Sequence, residues 1–139
     1  MILVDTNVVS EPLKTRGDMR VVAWLDRQPA ETLFISTISI SEILFGVATL
    51  PSGKRRARLA EAFENEILRL FAGRVLPFDL QAARAYASLM SVARARGRSI
   101  STADGQIAAI AAANGFSVAT RDETPFRAAG LSVVNPWTE

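Results

Sequence analysis

Four acids, Asp5, Glu42, Asp104 and Asp122, are the residues of this chain whose type and placement can do chemistry. Asp5 ends the apolar run Ile2-Leu3-Val4, and Asp122 follows the apolar pair Val118-Ala119. Glu42 and Asp104 each fall in what reads as the first turn of a helix. The 139-residue chain contains no histidine and no cysteine. Serine-hydrolase triads and histidine-based ribonuclease chemistry are thereby excluded, as are thiol nucleophiles. Neither a Walker A lysine motif nor G-x-G-x-x-G is present. What separated acids do without those partners is hold a hard cation. Packed together with no counter-charge they repel one another. A divalent ion relieves that repulsion, and oxygen donors suit Mg²⁺ or Mn²⁺. An ion held this way activates water and clamps a phosphate, so the chemistry indicated is metal-assisted hydrolysis of a phosphodiester.

Each acid also has a structural explanation. Asp5 can cap a short helix by accepting from the amides of Asn7 or Val8. Ser39-x-x-Glu42 has the form of a capping box, and Ser101-x-x-Asp104 is a looser version of it. Asp122 sits in Thr120-Arg121-Asp122-Glu123-Thr124-Pro125, a plausible turn. The combination outweighs the single readings, because all four acids are expected at one edge of one sheet. Gly46, one turn after Glu42, and Gly105, next to Asp104, interrupt helices at a cost of about 1 kcal/mol each against alanine. They indicate a close approach to the backbone beside two of the acids, or else helix–helix packing. Thr6 and Asn7, with Ser41, Thr102 and Thr120, are short polar side chains suited to orienting carboxylates from behind.

The elements that must position these residues alternate. Ile2–Val4 reads as a strand, followed by a helix near Val8–Leu13 and another over Val21–Arg27, ended by Pro29. Leu33–Ser36 is a strand and Ser39–Thr49 the helix after it, with a break at Pro51-Ser52-Gly53. Lys54–Phe71 is one long helix with Leu59, Phe63, Ile67 and Leu70 on a single face. Val75-Leu76 is a short strand, and Asp79 caps a helix running to about Arg96. Ser101–Asn114 is an alanine-rich, buried helix, and Val118–Thr120 and Ser132–Val134 are the last strands. Strand–helix alternation predicts a parallel, helix-flanked α/β sheet. In such sheets ligands bind beyond the carboxyl ends of the strands, where the acids fall.

Composition sets the outer limits. A chain that is 49% hydrophobic and 22% charged is expected to form one compact domain spanning residues 1–139. Nothing resembles a signal peptide, and no apolar run approaches the roughly 20 residues of a membrane span. The expectation is a soluble, cytoplasmic protein, in keeping with the lack of cysteine. Net charge is only +2, yet nearly all the cations are arginine, with Lys14 and Lys54 the only lysines. Arginine favours bidentate phosphate contacts. Arg121, beside Asp122, is a candidate phosphate contact, and Lys54, Arg55, Arg56 and Arg58 form either a further phosphate patch or a solvated helix face.

The same residues carry a family resemblance. Met1-Ile2-Leu3-Val4-Asp5-Thr6-Asn7-Val8-Val9-Ser10-Glu11 is similar to the opening of PIN-domain ribonucleases. More narrowly, it resembles VapC toxins of VapBC toxin–antitoxin modules, in their FitB-like branch. Ser39-Ile40-Ser41-Glu42-Ile43 with Gly46, Leu76-Pro77-Phe78-Asp79, Ala103-Asp104-Gly105-Gln106-Ile107-Ala108, Val118-Ala119-Thr120-Arg121-Asp122 with Phe126, and Asn135-Pro136-Trp137 match in order. The resemblance covers essentially the whole chain. It implies a PIN-like three-layer sandwich with a central parallel sheet flanked by helices. It also implies Mg²⁺- or Mn²⁺-dependent endoribonuclease activity on transfer or ribosomal RNA. It assigns the metal-site and catalytic positions to Asp5, Glu42, Asp104 and Asp122, with Thr6, Asn7 and Thr120 in support. A homodimer, a cognate VapB-type antitoxin and a joint complex on operator DNA are implied as well.

Other readings remain open at this level. A phosphorelay receiver of similar size is disfavoured, because the first strand ends in a single acid and no lysine follows Lys54. A D-x-D phosphatase fails because Asn7 occupies its second acidic position. A DNA-directed nuclease of the same fold would show an identical metal site. A largely non-catalytic partner that supports antitoxin binding to operator DNA is the alternative from a different class.

Overall fold

A computed structural model describes all residues, Met1–Glu139. Five strands form one parallel sheet in the order β3-β2-β1-β4-β5. They are β1 (Ile2–Val4), β2 (Leu33–Ser36), β3 (Val75–Leu76), β4 (Ser117–Ala119) and β5 (Val133–Val134). Leu3 lies between Phe34 on one side and Val118 on the other, and Val4 pairs with Ala119. The chain moves outward from β1 to β2 and β3, then returns to add β4 and β5 on the opposite side of β1. The order therefore reverses between β1 and β4, and a crevice opens beyond their carboxyl ends. Asp5 directly follows β1, and Thr120, Arg121 and Asp122 directly follow β4.

Two apolar layers cover the sheet, as the two-residue period of a strand requires. Val4 and Ala119 face one way, into a core with Val8, Trp24, Phe63 and Trp137. Leu3 and Val118 face the other way, into a core with Ala82, Ile107, Ile110 and Phe126. The first layer contains α1 (Thr6–Val9), a 3₁₀ turn (Glu11–Leu13), α2 (Met19–Arg27) and the buried residues of the segment after Pro51. The second is built from α6 (Leu80–Ala95), α7 (Thr102–Asn114) and α8 (Glu123–Ala128). An apolar groove of about 370 Å³ between α2 and Ile67–Arg74 contains none of the four acids.

Several expected elements change on inspection. The helix expected near Val8–Leu13 is two pieces, α1 and the 3₁₀ turn, because Pro12 suits the start of a new turn and not the interior of an old one. The helix expected from Ser39 is α3 (Thr37–Ala48); Ser36 caps it, its hydroxyl accepting from the Ser39 amide at 3.0 Å. Glu42 therefore lies in the second turn of α3, not the first, and Ser39-x-x-Glu42 is not a capping box. The long helix from Lys54 runs as α4 (Lys54–Ala62), a wide π turn (Phe63–Ile67) and α5 (Leu68–Leu70). The π turn buries Phe63 and Ile67 together. The sequence reading did not anticipate α8, which is six residues long and carries Pro125 in its first turn.

The alanine-rich α7 is buried along Ile107–Ala111 and packs closely on α6. A Cβ on Gly105 would stand 2.7 Å from Met90 Sδ and 3.0 Å from a Tyr86 ring carbon. Helix packing thus accounts for Gly105. Gly46 is different: a Cβ there meets nothing within 4 Å, so no intramolecular contact requires it.

Candidate metal centre

Asp5 is the anchor of the crevice. It is only 5% exposed, and both its oxygens are engaged. Oδ1 accepts from the Thr6 amide at 2.8 Å and Oδ2 from the Thr120 hydroxyl at 2.8 Å. The cap expected from the Asn7 or Val8 amide is made by Thr6 instead. Burial lifts the Asp5 pKa from 3.8 to about 6, against those two hydrogen bonds, with smaller contributions from the charges of Asp104 and Glu42. Mutual repulsion, expected from the sequence, is real here but secondary to desolvation.

A short polar web spreads from this carboxylate. Thr120 Oγ1 donates to Asp5 while accepting from the Asp122 amide at 3.1 Å and from Asn7 Nδ2 at 3.4 Å. One buried hydroxyl thereby fills its hydrogen-bonding capacity and ties the ends of β1 and β4 together. Asn7 Oδ1 accepts from the Arg121 amide at 3.3 Å. Thr6 Oγ1 donates to Glu42 Oε1 at 2.6 Å, bringing the second turn of α3 to the end of β1. Thr6 and Thr120 thus touch the acids directly, whereas Asn7 reaches them only through the Thr120 hydroxyl and the Arg121 amide. Ser41 does not, since its hydroxyl bonds the Ile38 carbonyl at 2.7 Å.

Asp104 lies in the first turn of α7, its amide bonded to the Ser101 hydroxyl at 3.2 Å. Asp122 occupies the position before α8 without using its side chain as a cap. Asp104 and Asp122 line one open cleft of about 670 Å³ with Arg98, Ser101 and Thr124. Asp5, Glu42 and Asp104 are thus joined through charge, and Asp104 and Asp122 through this cleft. As the side chains stand, no three of the acids are disposed to grip one ion. The chemistry of the donor set still fits a hard divalent cation. All donors are carboxylate oxygens, one of them is buried, and none of the molecule's three ion pairs, Lys14–Glu11, Arg20–Asp18 and Arg127–Glu123, neutralises any of the four.

Some contributors escaped the sequence reading. Arg121 lies over the Trp137 ring, its guanidinium carbon 5.2 Å from the centroid. Trp137 is held in turn by Asn135, whose Oδ1 accepts from the Trp137 amide at 3.0 Å and whose Nδ2 donates to Glu123 at 3.0 Å. Asn135-Pro136-Trp137 carried a motif but no role; its role is to floor Arg121. Glu11, 5% exposed, accepts from the Asp18 amide at 2.9 Å and pairs with Lys14 at 2.9 Å. Burial alone would raise its pKa, but the Asp18 amide and Lys14 lower it below the usual glutamate value. That carboxylate pins the loop leading into α2.

A parallel, helix-flanked α/β sheet whose switch point gathers acids and small polar side chains sets the class of the fold. The PIN domain matches residues 2–131, and the chain belongs to that family. It is 54% identical over 137 residues to VapC ribonuclease Y4jK of Sinorhizobium fredii (strain NBRC 101917 / NGR234), covering 99% of this chain and 98% of that one. It is 50% identical over 137 residues to Toxin FitB of Neisseria gonorrhoeae (strain ATCC 700825 / FA 1090), covering 99% of both. The structure of FitAB bound to an IR36 DNA fragment superposes with a TM-score of 0.94 at 50% identity, covering 99% of this chain and 96% of the matched one. The expected three-layer architecture with its parallel central sheet agrees with that likeness.

Proposed function

We propose that this chain, read as one PIN domain over residues 1–139, is a Mg²⁺- or Mn²⁺-dependent endoribonuclease and the toxin of a type II toxin–antitoxin module. The observation that carries this reading is the buried, un-neutralised Asp5 at the β1/β4 crevice, with Glu42, Asp104 and Asp122 around it. These four acids hold the metal. Asp5 would be the fixed donor, and the more exposed Glu42, Asp104 and Asp122 would complete the donor set. The bound ion supplies activation of water and neutralisation of charge on the scissile phosphate. Thr6 and Thr120 orient the Asp5 carboxylate, Thr6 also holds Glu42, and Asn7 steadies the Arg121 backbone. Asp104 and Asp122 face the open cleft through which a phosphodiester reaches them.

The names of the relatives support the biological setting: one is a VapC ribonuclease, another a toxin, and FitAB is a complex seen on DNA. A VapB-type antitoxin is the expected partner, in a dimer-based complex on operator DNA. Transfer or ribosomal RNA is the expected substrate, in the cytoplasm. The test uses antitoxin-free protein on total RNA with Mg²⁺ or Mn²⁺. Cleavage is expected to stop with EDTA and with Asp5→Asn. Cleavage that persists in EDTA would overturn the metal mechanism. Faster cleavage of single-stranded or flap DNA would reassign the substrate.

A further inference from the structure

Two guanidinium groups near the acids are left without a partner by the hydrolytic reading. Arg121 is exposed, forms no ion pair and rests on Trp137. Trp137 belongs to the core on the α2 side of the sheet, which places the Arg121 side chain on that side. Asp18 feels the charge of Arg121. That carboxylate is already forked by Arg20, at 3.1 Å through Nε and 2.7 Å through Nη2. Arg121 makes no ion pair with that carboxylate, so its guanidinium donors remain available to a ligand.

Arg98 lies on the other side. It follows Gly97, whose φ of 68° ends α6. The Arg98 amide closes back on the Ala93 carbonyl at 2.8 Å and the Gly97 amide on Arg94 at 3.0 Å. This pairing is a Schellman closure, which fixes where the following side chain starts. Arg98 opens into the cleft with Asp104 and Asp122, between the α6–α7 connection and α8. The hydroxyls of Ser99, Ser101 and Thr124 line the same cleft. Its other arginine, Arg127, is committed to Glu123 at 3.1 and 2.7 Å. Arg98 has no such partner and is exposed. None of Lys54, Arg55, Arg56 and Arg58 lines this cleft.

We propose that a single-stranded RNA substrate crosses the carboxyl edge of the sheet from one helical layer to the other. Arg98 and Arg121 hold the phosphates on either side of the phosphate that is cut. This inference rests on the nuclease reading of the acid site. A strand on that path presents one phosphate to the acids and their ion, and its flanking phosphates to the two free guanidiniums. Guanidinium forks match phosphate oxygens geometrically. Trp137 and the Schellman turn hold the two arginines in position before the substrate arrives, which limits the ordering cost of binding.

The test compares wild type, Arg98→Ala, Arg121→Ala, the double variant and Arg56→Ala as a control. Cleavage of a short single-stranded RNA is followed with Mn²⁺. Binding of the same RNA, fluorescein-labelled, is followed separately by anisotropy with Ca²⁺ across a range of salt. Each single variant is expected to raise KM and weaken binding about tenfold, with kcat nearly unchanged. Each is also expected to flatten the dependence of log affinity on log salt by about 0.7, the single-strand value per phosphate contact. The double variant combines both losses, Arg56→Ala changes neither, and Mn²⁺ raises the Tm of all five proteins alike. Unchanged KM and salt slope in both single variants would overturn the path. So would a fall in kcat together with loss of the Mn²⁺ effect on Tm, which marks structural damage. Failure of the nuclease reading looks different, because wild type then cuts no RNA while anisotropy still reports whether the two arginines grip the strand.

Discussion

Asp5→Asn should make the metal-free protein more stable while removing its activity. Burial lifts the Asp5 pKa from 3.8 to about 6, a displacement that disfavours the charged carboxylate at neutral pH by about 3 kcal/mol. For an acid whose pKa is raised by folding, the native state keeps a proton that the unfolded chain has already released. Stability therefore falls as pH rises from about 4 to about 6, and stays lower above that range. Asparagine keeps the shape and accepts from the Thr6 amide, but its NH₂ faces the Thr120 hydroxyl, which already accepts from Asn7 and Asp122. Losing that hydrogen bond costs about 1 kcal/mol. The net gain is about 2 kcal/mol, or roughly 6 °C in Tm for a chain of this size. The assay is thermal unfolding in EDTA at about pH 7.5 and about pH 4.5, with the gap between variant and wild type shrinking at the lower pH. Saturating Mn²⁺ should close the gap at neutral pH by stabilising wild type alone. A variant no more stable than wild type in EDTA, or a gap indifferent to pH, would refute the reasoning.

Thr120→Val keeps the volume of a fully buried side chain but leaves the Asp122 amide and Asp5 Oδ2 without their shared partner. Mn²⁺ affinity by calorimetry should fall by about 10- to 100-fold with the fold intact by circular dichroism. Gly105→Ala recovers about 1 kcal/mol of helix propensity but drives a methyl against Met90 and the Tyr86 ring, so it should cost a net of up to about 2 kcal/mol in denaturant unfolding, and less in a Met90→Ala background. Gly17→Ala places a Cβ 2.4 Å from the Glu11 carbonyl oxygen, a backbone atom that cannot rotate away, and should destabilise by at least as much. Glu11→Gln removes a buried, paired charge. Because folding lowers the Glu11 pKa, the stability it contributes is present at neutral pH and lost as pH falls below the ordinary glutamate range. The difference between Glu11→Gln and wild type in thermal unfolding should therefore vanish in acid.

Strand positions were legible because apolar runs meeting Asp5 or ending before helical patterns leave few alternatives; Leu33–Ser36 agrees to the residue. Helix starts were less so, because two serines competed to cap α3. Ser36 won, and the Ser39-x-x-Glu42 pattern misplaced Glu42 by a turn. The π turn at Phe63–Ile67 has no local signature, since tertiary burial and not propensity decides which side chains face inward. In the candidate site, the proximity of Asp5, Glu42 and Asp104 followed from strand–helix alternation alone. Thr120 was legible as a neighbour but not as the hydroxyl joining β1 to β4. Arg98 was invisible, because only the α6–α7 closure brings it beside Asp122. Gly105 answers to Met90 and Tyr86, whereas Gly46 lies beside open space.

The outermost strands, β3 and β5, are two residues long each, and Pro136, just past β5, has no amide hydrogen to donate. An incoming strand would find almost no ladder to extend at either margin of the sheet. Such brevity guards against the edge-to-edge pairing that leads to aggregates. It also constrains assembly: another polypeptide, whether a second copy or a different chain, must seat itself on helices and loops, because lengthening the sheet offers it next to nothing.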